Sequence, residues 1–152
     1  MLRIALPKGD SLEESTLQLL QAAGMKVASE PRKYSLEVVV NSGVAHKAVL
    51  MRPRHIPNFV ADGHYDIGIC GRDRVEESGV GAYVKIIARL PYSRATQGKV
   101  SVVLFSSVGN PVRSVLDIPP GTEVFSEYPG LTERFFAKLG IQVTIVECAG
   151  TA

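Results

Sequence analysis

The chain has no tryptophan, only two cysteines among its 152 residues, and a net charge of only +2. Cys70 and Cys148 stand far apart within apolar runs, which favours reduced, buried thiols over a disulfide framework. So small a charge, without aromatic-studded basic tracts, argues against nucleic-acid binding. No apolar run approaches the roughly 20 residues of a membrane span, and the start MLRIALPKGD is unlike a signal peptide. We therefore expect a cytoplasmic protein with neither nucleic-acid nor membrane partners.

Histidines and nucleophiles give no sign of metal or covalent chemistry. His46, His55 and His64 are too scattered for a zinc site and are expected at the surface. No nucleophile stands in a pattern that pairs it with a base, so covalent catalysis is not indicated and no catalytic residue is assigned. Local positive clusters do suit a phosphorylated ligand. These clusters are Arg3 with Lys8, Arg32 with Lys33, and Arg52 with Arg54.

Strand and helix patterns alternate along the chain, which predicts an α/β protein. The predicted strands cover residues 2–6, 33–41, 48–51, 65–70, 83–88, 99–106, 123–126 and 142–146. The predicted helices cover residues 11–24, 56–63, 72–78 and 131–140. The polar segment PYSRATQG lacks periodicity and predicts a hinge or crossover at 91–98. We therefore expect a first lobe over 1–90 and a second over 99–152, with the ligand in the cleft between them.

The stretch from Arg52 to Asp73, RPRHIPNFVADGHYDIGICGRD, has the pattern of a ligand site. A short amphipathic helix precedes a buried strand over 65–70. Gly68 inside that strand indicates a close approach by another backbone or by a ligand. Gly71 and Asp73 then follow the strand's carboxyl end, where ligands collect in open α/β sheets. The alternative is a plain strand-loop-helix connection with a surface ion pair.

Four segments in register carry a resemblance to a known family. They are LRIALPKG at 2–9, the stretch at 52–73, LPYS at 90–93 and SEYPGLT at 126–132. Together they resemble ATP phosphoribosyltransferase, the first enzyme of histidine biosynthesis, over essentially all 152 residues. The LPYS segment is most similar to the archaeal and long-form members. Any one of these segments alone would be a weak indication.

The resemblance implies a two-lobed fold similar to the type II periplasmic solute-binding proteins, each lobe a mostly parallel sheet with flanking helices. It also implies that ATP and phosphoribosyl pyrophosphate meet in the cleft, where N1 of adenine joins C1 of the ribose with inversion and loss of pyrophosphate. Mg²⁺ is expected to arrive on the substrate phosphates. A homo-oligomer is expected, with histidine as feedback inhibitor only if a regulatory domain or subunit is present. The alternative is a non-catalytic small-anion or nucleotide binding module, or a regulatory paralogue, of the same fold.

Cations and backbone N–H groups should dominate a site that orients two polyanions. Lys8 and Gly9 follow the first strand and precede a helix, which suits phosphate contact, although Lys8 as a solvated turn lysine is the alternative. Arg52 ends a strand and offers a planar fork to a phosphate. Its alternative role is an ion pair with Asp66 or Asp73.

Four further residues are candidates for substrate binding. Asp66 and Asp73 would orient the ribose or hold a lysine or arginine, with a helix N-cap as the competing role for Asp73. Tyr128 and Thr132 flank a predicted helix start, and the resemblance implies that this region lines the nucleotide site. Tyr128 would serve there as a stacking platform or simply as packing.

Two positions depart from the family pattern. Asp10 stands where the family commonly has arginine after Lys-Gly, and a carboxylate there would repel a phosphate. His55 replaces the acid that usually precedes Ile-Pro. In the family, the segment following Gly150-Thr151 leads to an acidic, Thr/Gly-rich loop that cradles the 5-phosphate of phosphoribosyl pyrophosphate. The 152 residues contain neither that loop nor a regulatory domain, so we expect the chain to be an incomplete view of the protein.

Overall fold

The computed structural model describes residues 1–9, 11–28, 35–39, 43–90 and 101–148. The chain divides into two compact units, Met1–Gly98 and Lys99–Ala152. Each unit has its own sheet, with five strands in the first and two in the second. Asp10 and the predicted hinge at 91–98 lie outside the described residues. In the part of the chain that is described, no helix is both long and apolar enough to cross a membrane.

The first unit alternates strands and helices much as the sequence predicts. Its strands are β1 (Arg3–Pro7), β2 (Lys26–Ala28), β3 (Ser35–Val39), β4 (Ala45–Met51) and β5 (Ile67–Gly68). Its helices are α1 (Ser11–Ala22), a 3-10 turn (Pro53–His55), α2 (Ile56–Ala61) and α3 (Arg72–Ser78). The predicted helices at 11–24, 56–63 and 72–78 are confirmed to within a turn. Strand β2 was not predicted, because three residues are too few to show a period of two.

The sheet of the first unit is mixed, and the expectation of a mostly parallel sheet is wrong for its described strands. The strand order is β2-β3-β4-β1-β5. Strand β1 runs parallel to both β4 and β5, whereas β3 is antiparallel to both β2 and β4. Only the five residues between Val39 and Ala45 separate β3 from β4. A connection that short joins antiparallel strands, because a parallel pair needs a crossover of a dozen or more residues.

Strand β1 lies at the centre of the core of the first unit. Ala5 and Leu6 are completely buried, because β1 has a strand on either side and α1 against its face. Leu6 forms one buried cluster with Val38 of β3 and Leu50 of β4. Leu17 and Leu20 of α1 pack against this cluster, which confirms the helical periodicity of the apolar residues after Ser11. Ordinary hydrophobic burial therefore fixes the position of β1.

In its described residues, the second unit contains a parallel strand pair and one α-helix, besides a 3-10 turn at Val115–Asp117. Strand β6 (Thr122–Ser126) pairs in parallel with β7 (Val143–Glu147), and α4 (Pro129–Leu139) connects them. Phe136 on α4 is only 2% exposed. Gly140 ends the helix in the left-handed conformation with φ of +68°, as its place after the apolar pattern predicts.

Three predicted strands differ from what is observed. The strand predicted at 65–70 is reduced to the two residues of β5, which pair with β1. Residues 83–88 form no strand, and neither do the described residues 101–106 of the run predicted at 99–106. Both runs have strong β propensity, but a strand needs a partner that supplies the other half of each hydrogen bond. No such partner lies among the described residues.

A bidentate ion pair holds the amino-terminal ends of β1 and β5 together. The guanidinium of Arg3 donates to both carboxylate oxygens of Asp66, with Nη2 to Oδ1 at 2.7 Å and Nε to Oδ2 at 3.2 Å. The Arg3 backbone N–H also donates to Asp66 Oδ2 at 2.7 Å, and the Asp66 N–H donates to the Arg3 carbonyl at 2.9 Å. Hydrogen bonding to Arg3 lowers the pKa of Asp66 from 3.8 to about 2.

Replacing Asp66 with asparagine should reduce stability in a pH-dependent way. The folded state favours the charged carboxylate, so its stabilisation is complete above the unfolded pKa near 3.8 and is lost as the pH falls to about 2. The urea midpoint of Asp66→Asn should therefore lie below that of the unchanged chain near neutral pH, and the two should converge in acid. The control is Asp62→Asn, which removes the same charge from an exposed site at the end of α2. An equal loss for both variants would contradict the role of the ion pair.

Gly68 in β5 allows α2 to pack closely against the strand. A Cβ atom at position 68 would lie 2.5 Å from Cγ2 of Ile56 and 3.0 Å from Cγ2 of Val60. Ile56 is almost completely buried at this contact. The close approach that the sequence predicts at Gly68 therefore occurs, but the neighbour is a pair of helix side chains.

Gly68→Ala should destabilise the first unit by about 1–3 kcal/mol, the usual cost of overpacking, because α2 would have to move away from β5. Thermal unfolding followed by circular dichroism measures this loss. Gly81→Ala is the matched control, since a Cβ there meets nothing within 4 Å and the backbone is not left-handed. A Gly68→Ala midpoint equal to that of Gly81→Ala would show that α2 does not need the glycine.

Candidate functional site

The parallel half of the sheet brings three polar segments to one edge. Strand β1 ends at Pro7, β4 at Met51 and β5 at Gly68, and all three run in the same direction. The turn after β1, Arg52 after β4 and the loop after β5 therefore emerge together. We call this the carboxyl edge, and it consists of Lys8, Gly9, Arg52 and residues 69–72. Ligands of open α/β sheets bind at such an edge.

The turn after β1 is held in place from both sides. The Lys8 N–H donates to the carbonyl of Met51 at 2.8 Å, which fastens the turn to the end of β4. Gly9 has φ of +85°, a conformation that other residues rarely adopt. Its N–H donates to Oε2 of Glu13 at 2.7 Å, so a carboxylate from the first turn of α1 already occupies this anion-binding group. No sequence pattern indicates this role for Glu13.

Arg52 lies between β4 and the 3-10 turn, and its side chain is exposed. Two ion pairs were considered for Arg52. The one with Asp66 does not form, because Asp66 pairs with Arg3 instead. The basic group next to it, Arg54, donates from Nε to Nε2 of His55 at 3.3 Å. His55 therefore accepts a hydrogen bond from Arg54, as the usual acid at this position also could.

Gly71 and Asp73 shape the loop after β5. Gly71 is the N-cap of α3, and a Cβ there would collide with Oδ1 of Asp73. Asp73 therefore folds back over Gly71 from the first turn of the helix, and the alternative role of Asp73 as the N-cap is wrong. Its Oδ2 lies 3.8 Å from Nε of Arg74. A side chain at position 71 would have to displace the Asp73 carboxylate from this place.

The two cysteines are free thiols, as the sequence predicts, but both are half-buried where full burial was expected. Burial raises the pKa of Cys70 to about 11, with a smaller contribution from the charge of Asp73. Cys70 is therefore a protonated thiol near neutral pH and a poor nucleophile.

The structure does not bring all the predicted site residues together. Asp66 lies at the amino-terminal ends of the strands, opposite to the carboxyl edge, and is bound to Arg3. Gly68 lies within β5 beneath α2. Lys8, Gly9, Arg52 and Gly71 share the carboxyl edge, and Asp73 adjoins it in α3.

Tyr128 and Thr132 belong to the second unit, at the carboxyl end of β6. Thr132 Oγ1 lies 2.8 Å from both the Tyr128 carbonyl oxygen and Oγ of Ser126. Ser126 Oγ also accepts from the Tyr128 N–H at 2.9 Å. These hydrogen bonds fix the start of α4, and two of them involve the Thr132 hydroxyl. Ser126 was not among the residues expected at the site; its hydroxyl accepts from the N–H two residues later, a turn that serine commonly forms before a helix.

No cluster of three or more metal-ligating side chains occurs within the described ranges. The carboxyl edge presents a lysine, an arginine and backbone N–H groups, and of the carboxylates beside it Glu13 is bound to Gly9 and Asp73 lies near Arg74. Such a donor set fits Mg²⁺ that arrives on phosphate oxygens better than Mg²⁺ held by the protein.

Comparison with known proteins identifies the family. A family model described as HisG: ATP phosphoribosyltransferase matches residues 52–152. ATP phosphoribosyltransferase of Methanocaldococcus jannaschii is 33% identical over 150 residues, covering 99% of this chain and 49% of the relative. That of Gemmatimonas aurantiaca is 34% identical over 155 residues, covering 100% of this chain and 50% of the relative. The chain thus spans about half the length of the curated relatives it matches.

A solved structure supports the fold. It is the ATP phosphoribosyl transferase (HisG:HisZ) complex from Thermotoga maritima, with a TM-score of 0.62 and 21% identity over 99% of this chain and 66% of that one. At this identity the likeness establishes the α/β fold alone. The family match and the curated relatives confirm the resemblance seen in the four sequence segments, and the chain belongs to the ATP phosphoribosyltransferase family.

Proposed function

We propose that this chain carries part of the substrate site of an ATP phosphoribosyltransferase, which condenses ATP with phosphoribosyl pyrophosphate to N1-(5-phosphoribosyl)-ATP and pyrophosphate. The observation that carries the proposal is the carboxyl edge, where parallel strands β4, β1 and β5 bring Arg52, the Lys8-Gly9 turn and residues 69–72 together. Family membership supplies the reaction. The edge supplies the cations and N–H groups that a reaction between two polyanions needs.

The reaction places two demands on the protein. It must hold two phosphorylated substrates so that adenine N1 faces C1 of the ribose, and it must stabilise the negative charge that collects on the departing pyrophosphate. Lys8 acts as a compact positive charge beside β1, and Arg52 offers two parallel donors to a phosphate. No covalent intermediate is required, which agrees with the protonated state of Cys70.

Mg²⁺ supplies charge neutralisation on the phosphates when it is bound with the substrates. The residues of this chain that accompany it are Lys8 and Arg52, whose charges add to that neutralisation. In the second unit, the proposed nucleotide contact is Tyr128. The hydroxyl of Thr132 is already hydrogen-bonded at the start of α4. The whole protein is proposed to be a homo-oligomer.

Calorimetric titration of the chain with ATP and Mg²⁺ tests the proposal. Lys8→Gln and Arg52→Gln should each weaken binding about 10- to 100-fold, since each removes charge-assisted hydrogen bonds worth about 1.5–3 kcal/mol. The matched controls are Lys26→Gln in β2, at the far edge of the same sheet, and Arg113→Gln in the second unit. Both controls should bind like the unchanged chain.

Absence of ATP binding, or binding that is unaffected by Lys8→Gln and Arg52→Gln, would overturn the assignment. Binding of inorganic phosphate as tight as that of ATP would instead favour the alternative, a non-catalytic anion-binding module. Pyrophosphate release that requires both ATP and phosphoribosyl pyrophosphate is the corresponding test of the whole enzyme.

Glu13 should oppose substrate binding, because its carboxylate occupies the Gly9 N–H that a phosphate oxygen would use. In Glu13→Gln the competing group is neutral and is displaced more easily, so ATP should bind about two- to fivefold more tightly, equivalent to about 0.5–1 kcal/mol. Glu14→Gln is the matched control. It removes the same charge from the same turn, where Glu14 accepts a hydrogen bond from Gln18. Equal affinities for the two variants would show that occupation of the Gly9 N–H does not matter.

A further inference from the structure

The 3-10 turn at Pro53–His55 holds an arginine and a histidine beside the carboxyl edge. Arg52 is the N-cap of this turn, and the His55 N–H donates to the Arg52 carbonyl at 3.0 Å. Ile56, the next residue, is almost completely buried and anchors the turn in the first unit. The backbone therefore keeps Arg54 and His55 next to Arg52, while the side chains of all three are exposed.

Arg54 and His55 are hydrogen-bonded to each other in a way that requires a neutral histidine. The Nε–H of Arg54 donates to Nε2 of His55 at 3.3 Å. Nε2 accepts a hydrogen bond only while it carries no proton, so the ring proton of the neutral imidazole is on Nδ1. A protonated imidazole has N–H groups on both nitrogens and no acceptor. Protonation of His55 therefore breaks this bond and places a second positive charge next to Arg54.

Helices α2 and α3 pack against the 3-10 turn, and their charges are those that His55 meets. Helix α2 has no charged side chain. Helix α3 carries two arginines and three acids, namely Arg72, Asp73, Arg74, Glu76 and Glu77. Arg72 pairs with Glu76, and Asp73 lies near Arg74. In the part of the chain that the structure describes, Arg52 and Arg54 make no ion pair.

We propose that His55 is a positioning residue that makes the binding of a polyphosphate at the carboxyl edge depend on pH. Neutral His55 holds the Arg54 guanidinium against its ring. Protonated His55 releases Arg54, so that two cations in place of one face the phosphates of the substrate. This inference rests on the proposed function, because it concerns the same edge and the same class of ligand.

The direction of the pH effect follows from the charges. The protonated form presents more positive charge to a polyanion and binds it more tightly. Histidine ordinarily changes its charge between pH 5 and 8, so binding should tighten as the pH falls through this range. The bound polyanion in turn favours the protonated form, and complex formation near pH 7 should therefore take up part of a proton.

Calorimetric titration with ATP and Mg²⁺ at pH 6 and at pH 8 tests the proposal. From pH 8 to pH 6, the affinity of the unchanged chain should rise about three- to tenfold relative to that of His55→Gln, since one more positive charge acts on a polyanion at an exposed site. Comparing the two chains at the same pH removes the effect of protonation of ATP itself. Titrations in two buffers of different ionisation enthalpy measure the proton uptake, which His55→Gln should lack.

Three further variants separate His55 from other causes. His55→Lys carries its charge permanently, so at pH 8 it should bind ATP as tightly as the unchanged chain does at pH 6. Arg54→Gln should reduce the pH response, because it has no guanidinium to release. His64→Gln is the matched control. It removes another exposed histidine of the same unit, whose ring contacts Phe59 before the amino-terminal end of β5, and it should keep the full pH response.

Equal pH dependence of the unchanged chain and His55→Gln would overturn the inference. The proposed function would stand in that case if Lys8→Gln and Arg52→Gln still weaken binding. Loss of the pH response in His64→Gln would also contradict the inference, because the effect would then not be specific to His55. Absence of ATP binding at both pH values would overturn the proposed function and this inference with it.

Discussion

The pairing of β1 with parallel strands on both sides is the constraint on which the rest of the first unit depends. It buries Ala5 and Leu6 completely and gives α1 the surface against which it packs. It also decides which loops meet, because parallel strands end at the same edge. Lys8 follows β1 directly, and its N–H bonds to the end of β4. The core and the candidate site are thus two consequences of one arrangement.

The Gly9 N–H is bonded within the chain and is also the group that we propose to contact a phosphate. The Glu13 carboxylate accepts a hydrogen bond from the Gly9 N–H. Its negative charge also stabilises α1, because it lies at the N-terminus of the helix. A phosphate bound at Gly9 would replace this internal anion. If the proposed site is correct, phosphate binding at Gly9 would exchange one anion for another, and the affinity would reflect the difference between them.

The stretch at 52–73 combines residues with separate tasks. Arg52 and Gly71 lie at the carboxyl edge, whereas Gly68 makes room for α2 and Asp66 binds Arg3 at the opposite end of the strands. A motif that marks a family is therefore not uniformly a binding site. In this stretch, residues that position β5 alternate with residues of the carboxyl edge.

The sequence by itself determined the features that depend on residues close together along the chain, namely helices α1 and α4 and the end of α4 at Gly140. It also identified the family. Only the tertiary structure decided that Asp66 belongs to the edge opposite the site, that Glu13 binds Gly9, and that the runs at 83–88 and 101–106 form no strand. The physical reason is that helices are held by bonds within a few residues, whereas a strand depends on partners distant in sequence. High β propensity indicates that a segment can form a strand, but the segment does so only where a partner strand is present.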